Sequence, residues 1–276
     1  MSADRHVKMR DSLSMKLSDL RPETAAAVRA VQAALRVVAA RRDAEQVVTK
    51  GHLDIATGSD LASQAVIREI LARAHPEHAF VGEEAGQHTA PVTGSHWLVD
   101  PICGTRNFAS RLPLFAVNVA LVEDGQVVVS SVGDGAHDQA YVAERGRGAW
   151  RVTERSLEPI SASDESATLC VDPGREGGAV AERAIPVLAA ALRARRWELR
   201  NLGSSLDLAF LADGRVAGVW HFSRIPPLHF AAGTLLASEA GALVVDERGV
   251  PWSPRSETLM AAASLETLDA MRELLG

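Results

Sequence analysis

Apolar positions along this chain recur with two periods, and the change from one to the other sets out its elements. From Glu23 to Arg42, Val28, Val31, Leu35 and Val38 fall at helical spacing, which predicts an amphipathic helix opening after Pro22. A second helix is predicted from Ser59 or Asp60 to Ala74, with Val66, Ile67, Ile70 and Leu71 on its buried side. Beyond it the texture changes. Short β-like runs at Ala79–Val81, His96–Val99, Phe115–Val122, Gln126–Val132 and Gln139–Glu144 are divided by Gly and Asp turn signals such as Asp124-Gly125. The polar stretch Ser156–Ala167 predicts a connector. After it, strands are expected at Thr168–Val171, Trp197–Arg200, Gly218–Phe222 and Ala242–Asp246. They alternate with helices expected at Ala179–Arg195, Ser204–Ala212, Ala231–Ala240 and Leu265–Leu274. The alternation places the chain in the mixed α/β class, with neither an internal repeat nor a low-complexity segment.

Composition narrows the function classes. With 276 residues, 47% of them hydrophobic, the chain is long enough for one large or two modest domains with a full core. The net charge of −6 and the lack of a basic tract argue against a general nucleic-acid binder. Arg193 to Arg200 is the nearest approach to such a tract and reads as a solvated helix end. Two cysteines, Cys103 and Cys170, cannot make a disulfide framework, so a reducing cytoplasm is expected. Met1–Asp11 is polar and followed by no apolar segment, which predicts neither a signal peptide nor a membrane partner.

Four segments carry candidate chemistry: Asp54-Ile-Ala-Thr-Gly-Ser-Asp60 before a helix, Gly82-Glu83-Glu84 after a strand, Asp100-Pro-Ile-Cys-Gly-Thr105 with Asn107-Phe108, and Pro227-Leu-His-Phe-Ala-Ala-Gly233. Each has a plain explanation when taken alone. Asp60 would serve as an N-cap, Glu83-Glu84 as a solvated turn, and Asp100-Pro101 and Gly104-Thr105 as ordinary turns. Taken together and in this order, the segments resemble the inositol monophosphatase family of lithium-sensitive, metal-dependent phosphatases. That family's signature is Gly-Glu-Glu, then Asp-Pro-Ile-Asp-Gly-Thr with Asn-Phe, then Trp-Asp with Ala-Ala-Gly. Gly146-Arg-Gly-Ala149, Gly203-Ser204-Ser205 and Ala212-Asp-Gly-Arg215 resemble further family elements, so the likeness runs from about Glu23 to the C-terminus.

The resemblance implies a layered α/β/α/β/α sandwich. Its first half would span residues 1–154 and its second residues 155–276, with the site between them. It implies that Glu83 and Asp100, with the Ile102 carbonyl, hold a first hard cation, Mg²⁺ or Mn²⁺. Asp60 and Thr105, with Glu83, would form the catalytic, water-orienting group, and the amides of Gly104 and Thr105 would cradle a phosphate. Cys103, Ser204 and His229 would fall on the substrate side. Family members are commonly homodimers, so a homodimer is expected, with a hetero-partner as the alternative.

Two positions depart from that pattern. Cys103 stands where the family has the second Asp of Asp-Pro-Ile-Asp, and Leu228-His229 stands in place of Trp-Asp. In the family these acids help Asp100's counterpart hold a second cation. A thiol and an imidazole there suit Mg²⁺ poorly. A third departure is Trp220-His221-Phe222, where the family often has a substrate-binding Glu. The leading expectation is therefore an enzyme on a small phosphorylated or sulfated metabolite, in a specialised biosynthetic pathway, with chemistry shifted toward elimination or displacement. Two alternatives stand beside it: an ordinary Mg²⁺-dependent phosphomonoesterase, and a non-catalytic subunit that keeps the pocket. For the altered corner itself, a Zn²⁺ or Fe²⁺ site at Cys103 and His229 competes with a simpler arrangement, in which Cys103 is buried filler and His229 bonds Asp100; a site with no metal at all is also open. A covalent role for Cys103 would need its thiol pKa lowered by the neighbouring amides. Cys170 is expected to be core.

Overall fold

The computed structural model describes residues 15–41, 47–51, 54–84, 94–174, 177–223 and 226–275. Met1–Asp11 and the end of the first expected helix at Arg42 lie outside these residues. Helix α1 (Pro22–Arg41) opens on a proline, which suits the first helical turn, and buries Ala27, Val31, Ala34 and Leu35 along one stripe. A hairpin of β1 (Val47–Gly51) and β2 (Asp54–Thr57) follows, then α2 (Gly58–Ala74). The N-cap of α2 is Thr57, not Asp60. The Thr57 hydroxyl oxygen accepts from Ser59 N, while Asp60, at the third helical position, accepts from Thr57 N at 2.7 Å and completes a capping box.

β3 (Ala79–Gly82) and β4 (His96–Cys103) pair in parallel. β4 then continues past the expected end at Val99, through Asp100-Pro101-Ile102, with its pairing to the next strand irregular between Asp100 and Cys103. A proline cannot donate to the ladder, so the strand bends there instead of stopping. After the short helix α3 (Thr105–Ala109), an antiparallel meander runs through β5 (Ala116–Glu123), β6 (Gln126–Asp134), β7 (Gln139–Glu144), β8 (Gly148–Val152) and β9 (Leu157–Pro159). β3 to β9 form one seven-stranded sheet in sequence order.

The second sheet has five strands in the order β11-β10-β12-β14-β13, drawn from β10 (Thr168–Asp172), β11 (Glu198–Arg200), β12 (Gly218–His221), β13 (Leu243–Val245) and β14 (Leu259–Ala262). Its helices are α4 (Gly178–Ala194), α5 (Leu206–Ala212), α6 (Pro227–Glu239) and α7 (Leu265–Glu273).

Three packed layers of side chains give the stacking. α1 and α2 cover one face of the large sheet through Val31, Leu35, Ile67, Trp97, Val119 and Val129. The opposite face packs on α5 and α6, whose Leu206, Leu208, Ala232 and Leu235 also meet Cys170, Val219 and Leu259 of the small sheet. The far face of the small sheet is covered by α4 and α7 through Leu169, Trp220, Val187 and Met271. The resulting order is helix, sheet, helix, sheet, helix, the mixed α/β sandwich expected. Helix α6 lies between both sheets and is hydrophobic all round, as a buried helix must be. Among the described residues no helix is long and apolar enough to cross a membrane.

Candidate active site

The end of β4, the turn into α3, the Ser204-Ser205 turn before α5, the end of β12 and the start of α6 converge on one cavity of about 350 Å³. Alternation along β4 sends Trp97 and Val99 toward α1 and α2, and Leu98 toward α5 and α6. Asp100 follows in the bent part of the strand and is completely buried. Its Oδ1 accepts from Ile102 N at 3.1 Å, and its Oδ2 lies 2.5 Å from His229 Nδ1. His229 sits in the first turn of α6, because the helix begins at Pro227 rather than at the expected Ala231. Burial opposes a charge on His229, but the Asp100 carboxylate outweighs it and, with Cys103, lifts the imidazole well above its ordinary pKa. Fully buried Asp100 and partly buried His229 thus form an ion pair.

Cys103 shares this corner. Its Sγ accepts from Ser205 N at 3.3 Å, and its carbonyl accepts from Ser204 Oγ at 2.8 Å. Burial first, and Asp100 second, push the thiol pKa up, with His229 and Ser205 offsetting only part. The turn amides therefore do not produce the lowered pKa that a covalent role would need. The remaining arrangement, a nearly buried thiol beside a His229–Asp100 bond, matches the simpler of the expectations for this corner. Ligand atoms of Asp100, Cys103 and His229 lie within 4.8 Å of one another, so the donor set for a softer cation is also assembled. Cys170 is buried in β10, as expected of core.

Next to Thr105 of the cavity lining, Asp60 is buried, with Thr57 N and Thr57 Oγ1 at 2.7 and 2.6 Å from its Oδ2. Its Oδ1 lies 3.2 Å from Thr105 Oγ1, which is also 2.9 Å from the Ile102 carbonyl, so the single hydroxyl proton can serve one acceptor at a time. Burial pushes the Asp60 carboxyl up to about 6; the Thr57 bonds oppose this, and Glu84 and Asp100 add to it. Glu83 lies in the cavity wall, while Glu84 is buried, its backbone clamped on both sides by the Gln64 amide at 2.7 and 2.8 Å. The two acids of the Glu-Glu pair therefore face different surroundings, and neither forms the solvated turn that a plain reading would give them.

Gly104 links the corners. It has φ of +99°, and an added Cβ would lie 2.9 Å from the Leu114 carbonyl oxygen and 3.0 Å from Ser204 Cβ. Gly104→Ala is expected to lower stability by about 1–3 kcal/mol through backbone strain and this overlap. Urea unfolding checks it, and a loss below about 0.5 kcal/mol, the size of an ordinary surface substitution, would mean that the turn relaxes freely.

In the cavity lining and the layer behind it lie groups that sequence reasoning missed or left without partners. His221 is buried, with Nε2 2.8 Å from Asp207 Oδ2 and Nδ1 3.8 Å from Asp172 Oδ2. Asn118 donates to Ser205 Oγ at 2.8 Å and to the His229 carbonyl at 3.3 Å, bracing the Ser205 turn and the backbone of His229. The signal for Asn118 was present: it is the lone amide within the apolar run Phe115–Val122. Asp207 gave no such signal, since an acid in the first turn of a helix needs no special explanation.

Comparison with known proteins adds a match to the inositol monophosphatase family over residues 19–275. The chain belongs to that family. Among its family relatives is the Nus factor SuhB of Salmonella typhimurium strain LT2, 34% identical over 235 residues, covering 83% of this chain and 87% of the relative. The inositol-1-monophosphatase of Rhizobium meliloti strain 1021 is 36% identical over 214 residues, covering 74% and 76% respectively. Among solved structures of the family fold, the extragenic suppressor protein suhB from Bartonella henselae superposes with a TM-score of 0.81 at 26% identity, covering 91% of this chain and 97% of that one.

Proposed function

We propose that the protein is a phosphoester hydrolase for a small phosphorylated metabolite, which works with one hard cation and uses the Asp100–His229 pair in place of a second. The observation that carries this reading is the 2.5 Å contact between Nδ1 of His229, which lines the cavity, and Oδ2 of the fully buried Asp100. The donors on the Glu83 side are all oxygen, from Glu83, Asp100 and the Ile102 carbonyl, and they fit Mg²⁺ or Mn²⁺. The donors at Cys103 and His229 are sulfur and nitrogen and do not fit such an ion. When bound, the hard cation would polarise the phosphoryl group and acidify a water.

The chain's own residues divide the remaining work. Thr105, bonded to Asp60, would orient a water and pass its proton to that carboxylate. Gly104 and Thr105 border the same cavity, and their amides would receive phosphoryl oxygens. His229 supplies a fixed positive charge on the other side, where charge builds up on the leaving oxygen. Elimination or displacement would make no use of a water-orienting pair. The assembled Thr105–Asp60 contact therefore favours hydrolysis over the elimination chemistry suggested by the two substitutions alone.

The test is phosphate release from a panel of polyol and sugar monophosphates with Mg²⁺, for the wild type and for Cys103→Asp/His229→Asp. The double variant restores the family's acids and is expected to be faster by about 100-fold on simple monoesters, the order of effect of a charge-stabilising group at a leaving oxygen. A wild-type rate equal to or above that of the double variant would reject the substitution of an imidazolium for a cation. A second reading, a partner subunit that keeps the pocket, draws support from the relatives that bear the name Nus factor. It predicts that phosphorylated polyols bind without turnover in both proteins.

A further inference from the structure

A second cluster of ligating side chains lies on the far side of the large sheet. Glu23 in the first turn of α1, His75 at the C-cap of α2 and His78 in the turn to β3 each bring one ligand atom within 4.8 Å of the others. None of them lines the cavity of the candidate active site. Three independent observations mark the cluster as more than a chance meeting of polar groups.

The first is an unpartnered polar atom. The His78 side chain is only 10% exposed, and its Nε2 is buried without a hydrogen-bond partner, the nearest acid being Glu77 at 3.6 Å. Buried imidazole nitrogens are ordinarily satisfied. The second is rigidity. His75 N donates to Leu71 O at 2.8 Å and His78 N to His75 O at 3.2 Å, so the backbone of the His-Pro-Glu-His turn is fixed. The two rings stack at 5.5 Å and both lean on Trp97. The third is charge. Glu23 has Arg21 as a neighbour, but Arg21 makes its short contact, 2.7 Å, with Glu123 and reaches Glu23 only at 3.4 Å or more. The Glu23 carboxylate can therefore turn toward the two imidazoles without undoing the main ion pair. Glu77, at 3.2 Å from His75 Nδ1, is a fourth donor on the exposed side.

We propose that Glu23, His75 and His78, closed by Glu77 or a water, bind a borderline divalent cation of the Zn²⁺ class and so tie the start of α1 to the α2–β3 turn. Two imidazoles with one or two carboxylates suit Zn²⁺ and are a poor set for Mg²⁺ or Ca²⁺. The ligand atoms lie within 4.8 Å of one another, and donors at about 2.0–2.1 Å from Zn²⁺ sit closer than that limit, so the side chains would adjust inward on binding. The site is structural in this proposal, since its ligands belong to a helix start and a turn and stand apart from the reaction cavity.

The experiment uses the full chain, stripped with chelator and titrated with Zn²⁺ by calorimetry, with thermal unfolding followed in parallel. Cys103→Ser/His229→Gln serves as the control, because it removes the other donor cluster that could take this ion. The control is expected to bind Zn²⁺ and to gain Tm on binding, since a ligand of the folded state alone stabilises it. His78→Gln should lose both responses, and Glu23→Gln should weaken binding by at least about 10-fold. Co²⁺ bound to the control should give visible d–d bands with no thiolate charge-transfer band. Glu23 lies at a helix end, so its variant keeps the test open if His78→Gln proves unfolded by circular dichroism. Zn²⁺ binding that disappears in the control, or persists unchanged in His78→Gln and Glu23→Gln, would overturn the proposal. So would a control that gives no heat and no Tm shift.

Discussion

Asp100→Ala is expected to lower the unfolding free energy of the metal-free protein by about 3–5 kcal/mol, the range for breaking one side of a buried ion pair. Asp100 is fully buried, and its two oxygens are both engaged, one by Ile102 N and the other by His229 Nδ1. Removing it strands a backbone donor and leaves the imidazolium facing only a thiol that burial holds protonated. His229 would then fold neutral, which relieves part of the penalty. His229→Ala should therefore be costly in the wild type and much milder in the Asp100→Ala background. A double-mutant cycle read by urea unfolding should return a coupling of about 1.5 kcal/mol or more. A coupling near zero would mean that the two side chains are neighbours without being partners. It would also remove the basis for treating the pair as a stand-in for a cation.

The sequence made the helices and the site segments legible, and the short strands much less so. α1 and α2 carry a helical stripe long enough to be unambiguous, with Val28, Val31, Leu35 and Val38 buried in the first. β14, by contrast, is Leu-Met-Ala-Ala, buried on both faces, and offers neither alternation nor length. β8 opens inside Gly146-Arg-Gly-Ala149, which resembles a family element, and its Gly-Ala-Trp-Arg-Val run shows no clean in-out alternation. β9 fell inside the polar connector. Its Leu157 points in and its Glu158 points out, and it ends on a proline that an edge strand tolerates.

At the site, the resemblance to the family's motif order brought Asp60, Glu83, Asp100, Gly104 and Thr105 together on paper, each of them near the end of a strand or the start of a helix. Spacing could not show which acid of Glu83-Glu84 faces the cavity. That is decided by Gln64, distant in sequence, which clamps the Glu84 backbone from α2. Nor could it pair Asp207 with His221, which face each other across the turn from α5 into β12. Cys103 and His229 stood out by departing from a pattern, yet their meaning depends on a distance that no pattern contains.

The His221–Asp207 pair should make stability depend on pH, and Asp207→Ala should show the dependence most clearly. Burial works against a charge on His221, but Asp207 at 2.8 Å, and Asp172 beyond it, hold its pKa above the ordinary imidazole value. A group whose pKa is raised by folding stabilises the folded state fully below its unfolded pKa of about 6.5. That contribution fades as the pH climbs through the higher folded value. In Asp207→Ala the ring is buried with only Asp172 at 3.8 Å, so its charged form is no longer favoured and the variant should gain stability over the same pH range. The gap between wild type and variant is therefore expected to be widest, about 3–5 kcal/mol, near pH 5.5–6 and to narrow steadily toward pH 9. Urea unfolding at four or five pH values measures it directly. His221→Gln provides the companion profile, flat over the window in which the wild type loses stability. A gap between wild type and Asp207→Ala that stays constant, or widens with pH, would show that His221 is neutral in the folded protein. The dyad would then be an ordinary hydrogen bond, and the cavity would lose one of its two buried imidazolium charges.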